Sequence, residues 1–191
     1  MPDAVDHLQV VGEVVQGLSA LRLEPVLVGG MALVVLGSRR VTRDFDFVIA
    51  HPGDRIERTI DLLYDHGLEL ASRVNKLGEV ISTIRNRKVA AVRLRLDAPR
   101  SAYFFNTESG LRVDLLLDFP IPAEKLAEKA TRTRIRSHAF TIASEEDLLR
   151  LKRIAEAGRS APGDAEDIAF LESLRKRSPS VSRRKKRSRH R

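Results

Sequence analysis

Apolar positions along the chain recur with two different periods, and the alternation between them predicts a mixture of helices and strands. The first segment has apolar residues at helical spacing, whereas the short apolar run after Pro25 stops at two glycines and is typical of a buried strand. Between residues 89 and 96, apolar residues alternate with Arg93 and Arg95, which predicts a strand with one polar face. The predicted elements are helices over 3–21, 31–36, 54–66, 123–130, 144–157 and 163–174, and strands over 25–28, 44–49, 79–84, 89–96, 102–106, 111–118, 132–136 and 140–142.

The order of these elements predicts an α+β (α/β-like) fold with a helical C-terminal section. The length of 191 residues is enough for one compact domain of ordinary size. We expect a core over residues 1–143, a helical section over 144–175 that packs on the core, and a basic tail over 176–191. The tail has too little apolar surface to fold by itself, and we therefore expect it to be disordered.

The formal net charge of +8 comes from the end of the chain. Ten of the 34 Lys and Arg residues lie at or after Arg175, where there is no Asp or Glu, which leaves 24 basic against 26 acidic residues elsewhere. A basic segment of this kind favours a polyanionic partner and says little about the fold. The absence of cysteine excludes a disulfide framework, a thiol nucleophile and a cysteine zinc site.

The location of the protein is predicted from two absences. The N-terminus is acidic and lacks the basic-then-apolar order of a signal peptide. No apolar run approaches the roughly 20 residues that a membrane-spanning helix needs. We therefore expect a cytoplasmic protein with no membrane partner.

Two aspartates two residues apart are the strongest sign of chemistry in the sequence. Asp44 and Asp46 fall on a predicted strand, where residues i and i+2 project from the same face. Phe45 and Phe47 would anchor the opposite face of that strand in the core. Neighbouring carboxylates repel each other unless a cation compensates them, and oxygen ligands of this kind suit Mg²⁺. The alternative is an edge strand with a solvated acidic face.

A third carboxylate lies on the predicted hairpin strand over 111–118. Asp114 is an isolated acid in an apolar strand; it would complete a two-metal site beside an Asp-x-Asp pair, or else face water at a strand end. Asp118 would share the face of Asp114 and is a competing candidate. Gly29 and Gly30 separate a strand from a helix, where glycines let a phosphate approach the backbone, although any tight strand-to-helix turn has the same need.

Taken together, these motifs resemble the DNA polymerase beta-like nucleotidyltransferase superfamily. The branch that the sequence resembles most is the minimal one, which includes the type IV toxin-like, abortive-infection proteins. The opening motif is G-G-M-A-L-V-V-L-G-S-R-R-V-T-R-D-F-D-F, and the strand of the third carboxylate reads L-R-V-D-L-L-L-D. The C-terminal helical signature reads S-E-E-D-L-L-R-L-K and G-D-A-E-D-I-A-F-L. The resemblance covers residues 8–174, and the stretch over 69–98 contributes little to it.

The resemblance implies a polymerase-beta-type core, in which a mixed sheet is flanked by helices, and an enzyme that transfers a nucleoside monophosphate from an NTP such as ATP. It implies two Mg²⁺ ions held by three catalytic carboxylates. In many members a serine stands where Gly30 stands here, so that backbone groups must take its place. The catalytic and metal-binding residues so implied are Asp44, Asp46 and Asp114, and the nucleotide-binding residues are Gly29, Gly30, Arg40, Thr42, Lys152 and Asp164, with Asp167 as the alternative to Asp164. Thr42 is also expected to support the acidic strand by a local hydrogen bond.

The sequence motifs do not identify the acceptor of the nucleotide. The basic tail and the resemblance favour RNA, and specifically a tRNA 3′ end, and a toxin would imply an antitoxin protein as partner. Protein hydroxyls and small molecules such as antibiotics are other acceptors. A first alternative is a catalytically inactive module of the same fold that binds nucleic acid or a protein. A second alternative is a regulatory protein whose tail carries the function.

Overall fold

The computed structural model of this chain describes residues 6–76, 78–158 and 163–177. The chain divides into two compact units, Met1–Ser144 and Glu145–Arg191. The expected basic tail lies outside the described residues, apart from its first two residues, which belong to the last helix.

The first unit combines one mixed sheet with helices, as the prediction of an α+β fold required. The strands that the structure describes are β1 (Val26–Val28), β2 (Asp44–Ile49), β3 (Glu69–Val74), β4 (Val80–Ile84), β5 (Ser101–Phe105), β6 (Arg112–Leu117), β7 (Thr131–Ile135) and β8 (His138–Ile142). The helices of this unit are α1 (His7–Ala20), α2 (Gly29–Val35), α3 (Ile56–Asp65), α4 (Arg87–Asp97) and α5 (Ala123–Ala127). The sheet order is β4-β3-β5-β6-β2-β1-β8-β7. The pairs β2–β6 and β1–β8 are parallel, and the other neighbouring pairs are antiparallel.

The two faces of the sheet differ in character. Residues that pair across neighbouring strands project to the same side, so the register of β2 and β6 puts Asp44, Asp46 and Asp114 on one face. We call this the carboxylate face. Phe47 and Leu115 project to the opposite face, which we call the packed face, and each is only 1% exposed.

Three helices cover the packed face. Gly12 of α1 lies so close to the His138 ring on β8 that a methyl group on this glycine would be 2.1 Å from the ring. Helices α3 and α4 contribute Ile56 and Leu94 to the wall of a small apolar cavity, which Leu115 closes from the side of the sheet. A large part of the hydrophobic core therefore lies on the packed face. The three acids project from the carboxylate face, where Val26 and Val28 of β1 are also buried.

The prediction of a strand over 89–96 is wrong, because these residues belong to helix α4. Asn86 caps the helix, since its side-chain oxygen accepts hydrogen bonds from two backbone N–H groups in the first turn. Ala90 and Ala91 are buried, and Arg95 reaches Glu57 on α3. Alternation over so few residues fits either period, and the cap and the contacts with α3 decide in favour of the helix.

The remaining elements follow the predictions with one omission. The hairpin predicted over 102–106 and 111–118 is confirmed as β5 and β6. Helix α1 begins after Asp6, whose carboxylate accepts a hydrogen bond from the N–H of Leu8, and the predicted start at residues 3–5 lies outside the described residues. Strand β3 has no predicted counterpart, because its sequence lacks a continuous alternation and its pairing partners are distant in sequence.

The second unit is described as two helices, α6 (Glu145–Gly158) and α7 (Asp164–Arg177). They pack against each other, and the guanidinium of Arg153 on α6 forms an ion pair of 2.8 Å with Glu172 on α7. Among the described residues of the chain, no helix combines the length and the apolar character needed to cross a bilayer.

Candidate active site

The three predicted carboxylates come together on two neighbouring parallel strands. Asp46 on β2 pairs in register with Asp114 on β6, and Asp44 pairs with Arg112. Neighbouring strands are separated by about 4.8 Å, so the side chains of Asp46 and Asp114 emerge side by side. Asp44 and Asp46 are partly exposed, whereas Asp114 is 6% exposed. The carboxylate face therefore carries three acids close to one another.

Arg112 is a member of this cluster that the sequence analysis missed. Its Nε and one terminal nitrogen donate hydrogen bonds of 2.7 Å to the two oxygens of Asp114. The other terminal nitrogen donates to the carbonyl oxygen of Gly78, also at 2.7 Å. The guanidinium carbon lies 4.8 Å from the centre of the Tyr103 ring. The position of Arg112 two residues before Asp114 on a strand was the available signal, because residues i and i+2 share a face.

The charges of the cluster explain why an arginine stands there. Burial disfavours the charged form of Arg112, but the hydrogen bonds and charge of Asp114 oppose this effect, and so do the charges of Asp44 and Asp46. The result is that the pKa of the Arg112 guanidinium is raised above its ordinary value. One guanidinium thus compensates part of the charge of three carboxylates.

Gly29 and Gly30, the first two residues of α2, make space for side chains of the cluster. Gly29 has a positive φ of 66°, and a Cβ atom there would lie 2.0 Å from Oδ2 of Asp46. A Cβ atom on Gly30 would lie 3.0 Å from Nε of Arg40 and 3.3 Å from Cβ of Thr42. The glycines therefore let Asp46, Arg40 and Thr42 approach the backbone closely.

The segment between α2 and β2 brings basic and hydroxyl groups to this place. Thr42 Oγ1 accepts a long hydrogen bond of 3.4 Å from the N–H of Asp44, the local contact that the sequence analysis expected. Arg40 is exposed, and its guanidinium group lies over Gly30. The structure thus brings together Arg40, Thr42 and the two glycines beside β2.

Asp118, the competing candidate, has a different position. Its Oδ2 accepts a hydrogen bond of 2.9 Å from the N–H of His51, and its Oδ1 accepts one of 3.0 Å from the N–H of Ala123. Its backbone has a φ of 50°, outside the extended conformation of β6. Asp118 therefore fastens the turn after β6 to the segments on either side of it, and Asp114 is the third acid of the cluster.

The predicted Lys152 and Asp164 meet in the second unit. Lys152 Nζ lies 3.0 Å from Asp164 Oδ1 and 2.7 Å from Asp167 Oδ2. All three side chains are largely buried, with exposed fractions of 14% for the lysine and 6% and 5% for the carboxylates. Oδ2 of Asp164 is buried and has no hydrogen-bond partner among the described atoms. Lys152 is thus shared by two buried carboxylates.

The acids of the carboxylate face suit Mg²⁺ by the chemistry of their donors. Carboxylate oxygens are the ligands that Mg²⁺ takes in proteins, and the missing Cβ of Gly29 leaves room for the Asp46 carboxylate. Among the residues that the structure describes, no three acidic or histidine side chains stand in a ready metal-ligand arrangement. Both oxygens of Asp114 are held by Arg112, although each carboxylate oxygen has a second lone pair for another ligand.

Known proteins resemble this chain in structure, although the sequence comparisons found no match. No family model matches the sequence, and no curated protein sequence matches it. The structure is similar to the lincosamide antibiotic adenylyltransferase LnuA in its lincomycin-bound form, with a TM-score of 0.54 and 14% identity over 87% of this chain and 96% of that chain. It is similar to the antibiotic-resistance factor ANT(2'')-Ia, with a TM-score of 0.56 and 11% identity over 90% of this chain and 85% of that chain.

A third similar structure is an antigenic nucleotidyltransferase-like protein from Paracoccidioides brasiliensis. The TM-score is 0.53 and the identity 21%, over 90% of this chain and 78% of that chain. Identities this low show a shared architecture and do not transfer a substrate. This chain has the nucleotidyltransferase fold, as the resemblance of its sequence motifs implied.

Proposed function

We propose that this protein is a magnesium-dependent nucleotidyltransferase, which transfers a nucleoside monophosphate from an NTP to an acceptor hydroxyl, with a tRNA 3′ end as the favoured acceptor. The observation that carries the proposal is that Asp44, Asp46 and Asp114 meet on adjacent parallel strands, next to the two glycines that begin α2. The fold is that of the similar adenylyltransferase and nucleotidyltransferase-like structures. The place of the acids in the register and the fold support the same reaction class.

The acids would hold two Mg²⁺ ions, which supply positive charge to the phosphates and lower the pKa of a bound hydroxyl. Asp44, Asp46 and Asp114 are the residues that would hold these ions. Arg40, which already lies over Gly30, would neutralise phosphate oxygens, and Thr42 would keep the start of β2 in place.

The reaction itself is an in-line displacement at the α-phosphate. The acceptor hydroxyl gives up its proton to solvent and its oxygen forms a bond to the α-phosphorus, while the bond from that phosphorus to the bridging oxygen breaks and pyrophosphate leaves with the electron pair. The contribution of the protein is positioning and charge neutralisation, because phosphoryl-type transfers need little covalent help. Lys152 and Asp164 enter this proposal as further nucleotide-binding groups, and Asp167 shares the same lysine.

The test is transfer of label from each α-labelled NTP to total tRNA, with Mg²⁺ and the purified full chain. The Asp44→Asn, Asp46→Asn double variant should transfer no label. The matched control is Asp54→Asn, Asp97→Asn, which removes two charges from exposed positions away from the cluster. Transfer by the parent and the control, and not by the cluster variant, supports the proposal. Equal transfer by all three proteins, or none by the parent to tRNA, protein or small acceptors, contradicts it.

The resemblance to the toxin-like branch adds a cellular expectation. Expression of the parent chain should arrest growth, whereas the Asp44→Asn, Asp46→Asn variant should be tolerated at the same protein level. A cognate antitoxin would then be a protein that relieves the arrest and binds the parent chain. Arrest by both proteins would contradict a toxin that acts through this site.

A second candidate function is a catalytically inactive module that binds nucleic acid or a protein partner. The observation that favours it is Arg112, whose guanidinium takes both oxygens of Asp114 and occupies the place of a cation. Calorimetric titration with an NTP separates the two candidates. Binding that requires Mg²⁺ favours the enzyme, and no binding with or without Mg²⁺ favours the inactive module.

A further inference from the structure

An arginine pair on the last strand of the sheet lies on the same face as the three carboxylates. Paired residues on neighbouring strands share a face, and so do residues two apart on one strand. Asp46 pairs with Val28, Val26 on the same strand pairs with Thr141, and Thr141 pairs with Arg132. Arg134 pairs with Ala139, two residues earlier on β8, and projects from the same face. The topology therefore puts Arg132 and Arg134 on the carboxylate face, although they lie far from the acids in sequence.

Both arginines are available to a ligand. Each is exposed, and within the described part of the chain neither forms a hydrogen bond or an ion pair. Residues i and i+2 of a strand are about 6.6 Å apart, so the two guanidinium groups form one positively charged site. An unpaired arginine binds phosphate through two parallel N–H donors, which favours a ligand with several phosphates.

The distance from the acids defines what such a ligand must be. Three strand spacings separate β2 from β7, which is about 14 Å across the sheet. Val26 and Val28 on the intervening strand β1 are buried, so the arginine pair is a separate site and does not belong to the bottom of one open groove. A ligand that reaches both places must be an extended polyanion with a hydroxyl at its end.

We propose that Arg132 and Arg134 bind the phosphate backbone of a single-stranded RNA whose 3′-terminal hydroxyl is the acceptor. This inference rests on the proposed function, and it deepens that function by assigning the surface that holds the RNA acceptor. The pair contacts phosphates and not bases, so it provides affinity and orients the RNA without selecting a nucleotide sequence. A small acceptor such as an antibiotic would not need a second cationic site 14 Å from the acids.

Arginines on an edge strand have another known use, which is to prevent the edge from pairing with other chains. Strand β7 is at the edge of the described sheet, so this use has to be separated from RNA binding. Charge reversal separates them, because two glutamates protect an edge as well as two arginines do but repel RNA. Arg132→Glu, Arg134→Glu should therefore remain monodisperse and lose RNA affinity.

The experiment is fluorescence anisotropy of a labelled 12-nucleotide RNA with a free 3′ hydroxyl, titrated with the full chain at several salt concentrations and without NTP. Each phosphate contact to a single strand contributes about 0.7 to the slope of log K against log salt, so Arg132→Ala, Arg134→Ala should lower the slope by about 1.4. At 0.1 M salt this corresponds to a loss of about 25-fold in affinity. The basic end of the chain is present in every variant, so its contribution cancels in the comparison.

Two further variants make the test specific. Arg58→Ala, Arg85→Ala removes two exposed arginines that form no ion pair in the described residues, and it should keep the parent slope. Arg132→Lys, Arg134→Lys keeps the charge and should retain most of the slope, which distinguishes lost phosphate contacts from lost folding. An unchanged slope for the alanine pair on β7, or an equal loss for the control pair, overturns the proposal. The Asp44→Asn, Asp46→Asn variant should bind the RNA like the parent, so a failure of label transfer and a failure of this binding site are separate results.

Discussion

Replacement of Arg112 by Gln removes the cation from a cluster of three carboxylates and leaves its carbon skeleton partly in place. The side chains of Arg112 and Asp114 are only 17% and 8% exposed, so the ion pair between them is shielded from water. Removal of one partner from a buried ion pair costs about 3–5 kcal/mol, because the other charge stays buried after it has lost its counter-ion. The hydrogen bond to the Gly78 carbonyl is lost as well and adds about 1 kcal/mol.

The partial exposure of the arginine favours the lower end of this range, and with the lost hydrogen bond we expect the free energy of unfolding to fall by about 4 kcal/mol. A chain of this size loses about 2–4 °C of Tm per kcal/mol, so Tm should fall by about 8–16 °C. Urea unfolding and thermal melting of the parent and Arg112→Gln measure the two quantities. The matched control is Arg95→Gln, which breaks the exposed ion pair with Glu57 and should cost at most about 1 kcal/mol.

A double-mutant cycle with Asp114→Asn tests the stated cause. If Arg112 acts through Asp114, the two changes together should cost at least 1–2 kcal/mol less than the sum of the single changes. Added Mg²⁺ should raise the Tm of Arg112→Gln more than that of the parent, because the vacated place is filled by a cation that binds the folded state. A loss for Arg112→Gln no larger than for the Arg95 control, or additivity within about 0.5 kcal/mol, would refute the reasoning.

Three further predictions concern other parts of the chain. Gly29→Ala should weaken Mg²⁺-dependent NTP binding at least tenfold, because the added Cβ would displace the Asp46 carboxylate. Gly53→Ala changes a glycine of similar φ that has open space around it, and it should leave binding unchanged in the same calorimetric titration. Equal binding by the two variants would contradict the close approach of Gly29 and Asp46. Lys152→Met should lower the urea unfolding free energy by about 3 kcal/mol, because two buried carboxylates of the second unit lose their cation, and a loss below about 1 kcal/mol would show that they are compensated otherwise. Tyr64→Phe should cost about 1–2 kcal/mol, because the hydroxyl donates to one backbone carbonyl and accepts from one backbone N–H. Burial raises the pKa of the Tyr64 phenol, so its stabilising contribution is complete below about pH 10 and is lost as the pH rises through the folded-state pKa. The difference in unfolding free energy between the parent and Tyr64→Phe should therefore shrink in urea titrations at alkaline pH. A difference that stays constant would argue against a buried phenol.

The elements that the sequence predicted well are those whose local pattern agrees with their surroundings. The Asp44–Ile49 strand alternates acids with buried aromatic residues, and it forms β2 with Phe45 and Phe47 buried. The hairpin of β5 and β6 was predicted from its turn residues and its flanking apolar runs. In these segments the propensity of the residues and the burial pattern point to the same structure, so no distant contact is needed to choose between alternatives.

The residues of α4 show where local pattern is insufficient. The alternation around Arg93 and Arg95 fits a strand, but Val89, Val92 and Leu96 are exposed in the structure, with exposed fractions of 53%, 52% and 77%. The buried residues of the helix are Ala90 and Ala91, which lie on the side opposite to these exposed residues. This choice of side depends on the packing of α4 against α3, which a window of eight residues does not contain.

The sequence by itself determined which residues of this protein are suited to chemistry. It contains two acids at strand spacing, an isolated acid in an apolar strand, and two glycines at the end of another strand. It also determined the type of most elements, since the period of the apolar residues is a local property. Through the resemblance of its motifs, it implied the nucleotidyltransferase fold that the structural comparisons show.

Only the tertiary structure decided how these residues meet. The register that sets Asp46 beside Asp114 and the common face of Arg132 with the acids both depend on pairing between strands that are distant in sequence. A shift of one residue in any of these pairings would move the side chains of a strand to the opposite face. Such registers are fixed by the burial of a whole sheet face under α1, α3 and α4, and this energy is a property of the assembled unit and not of any single segment.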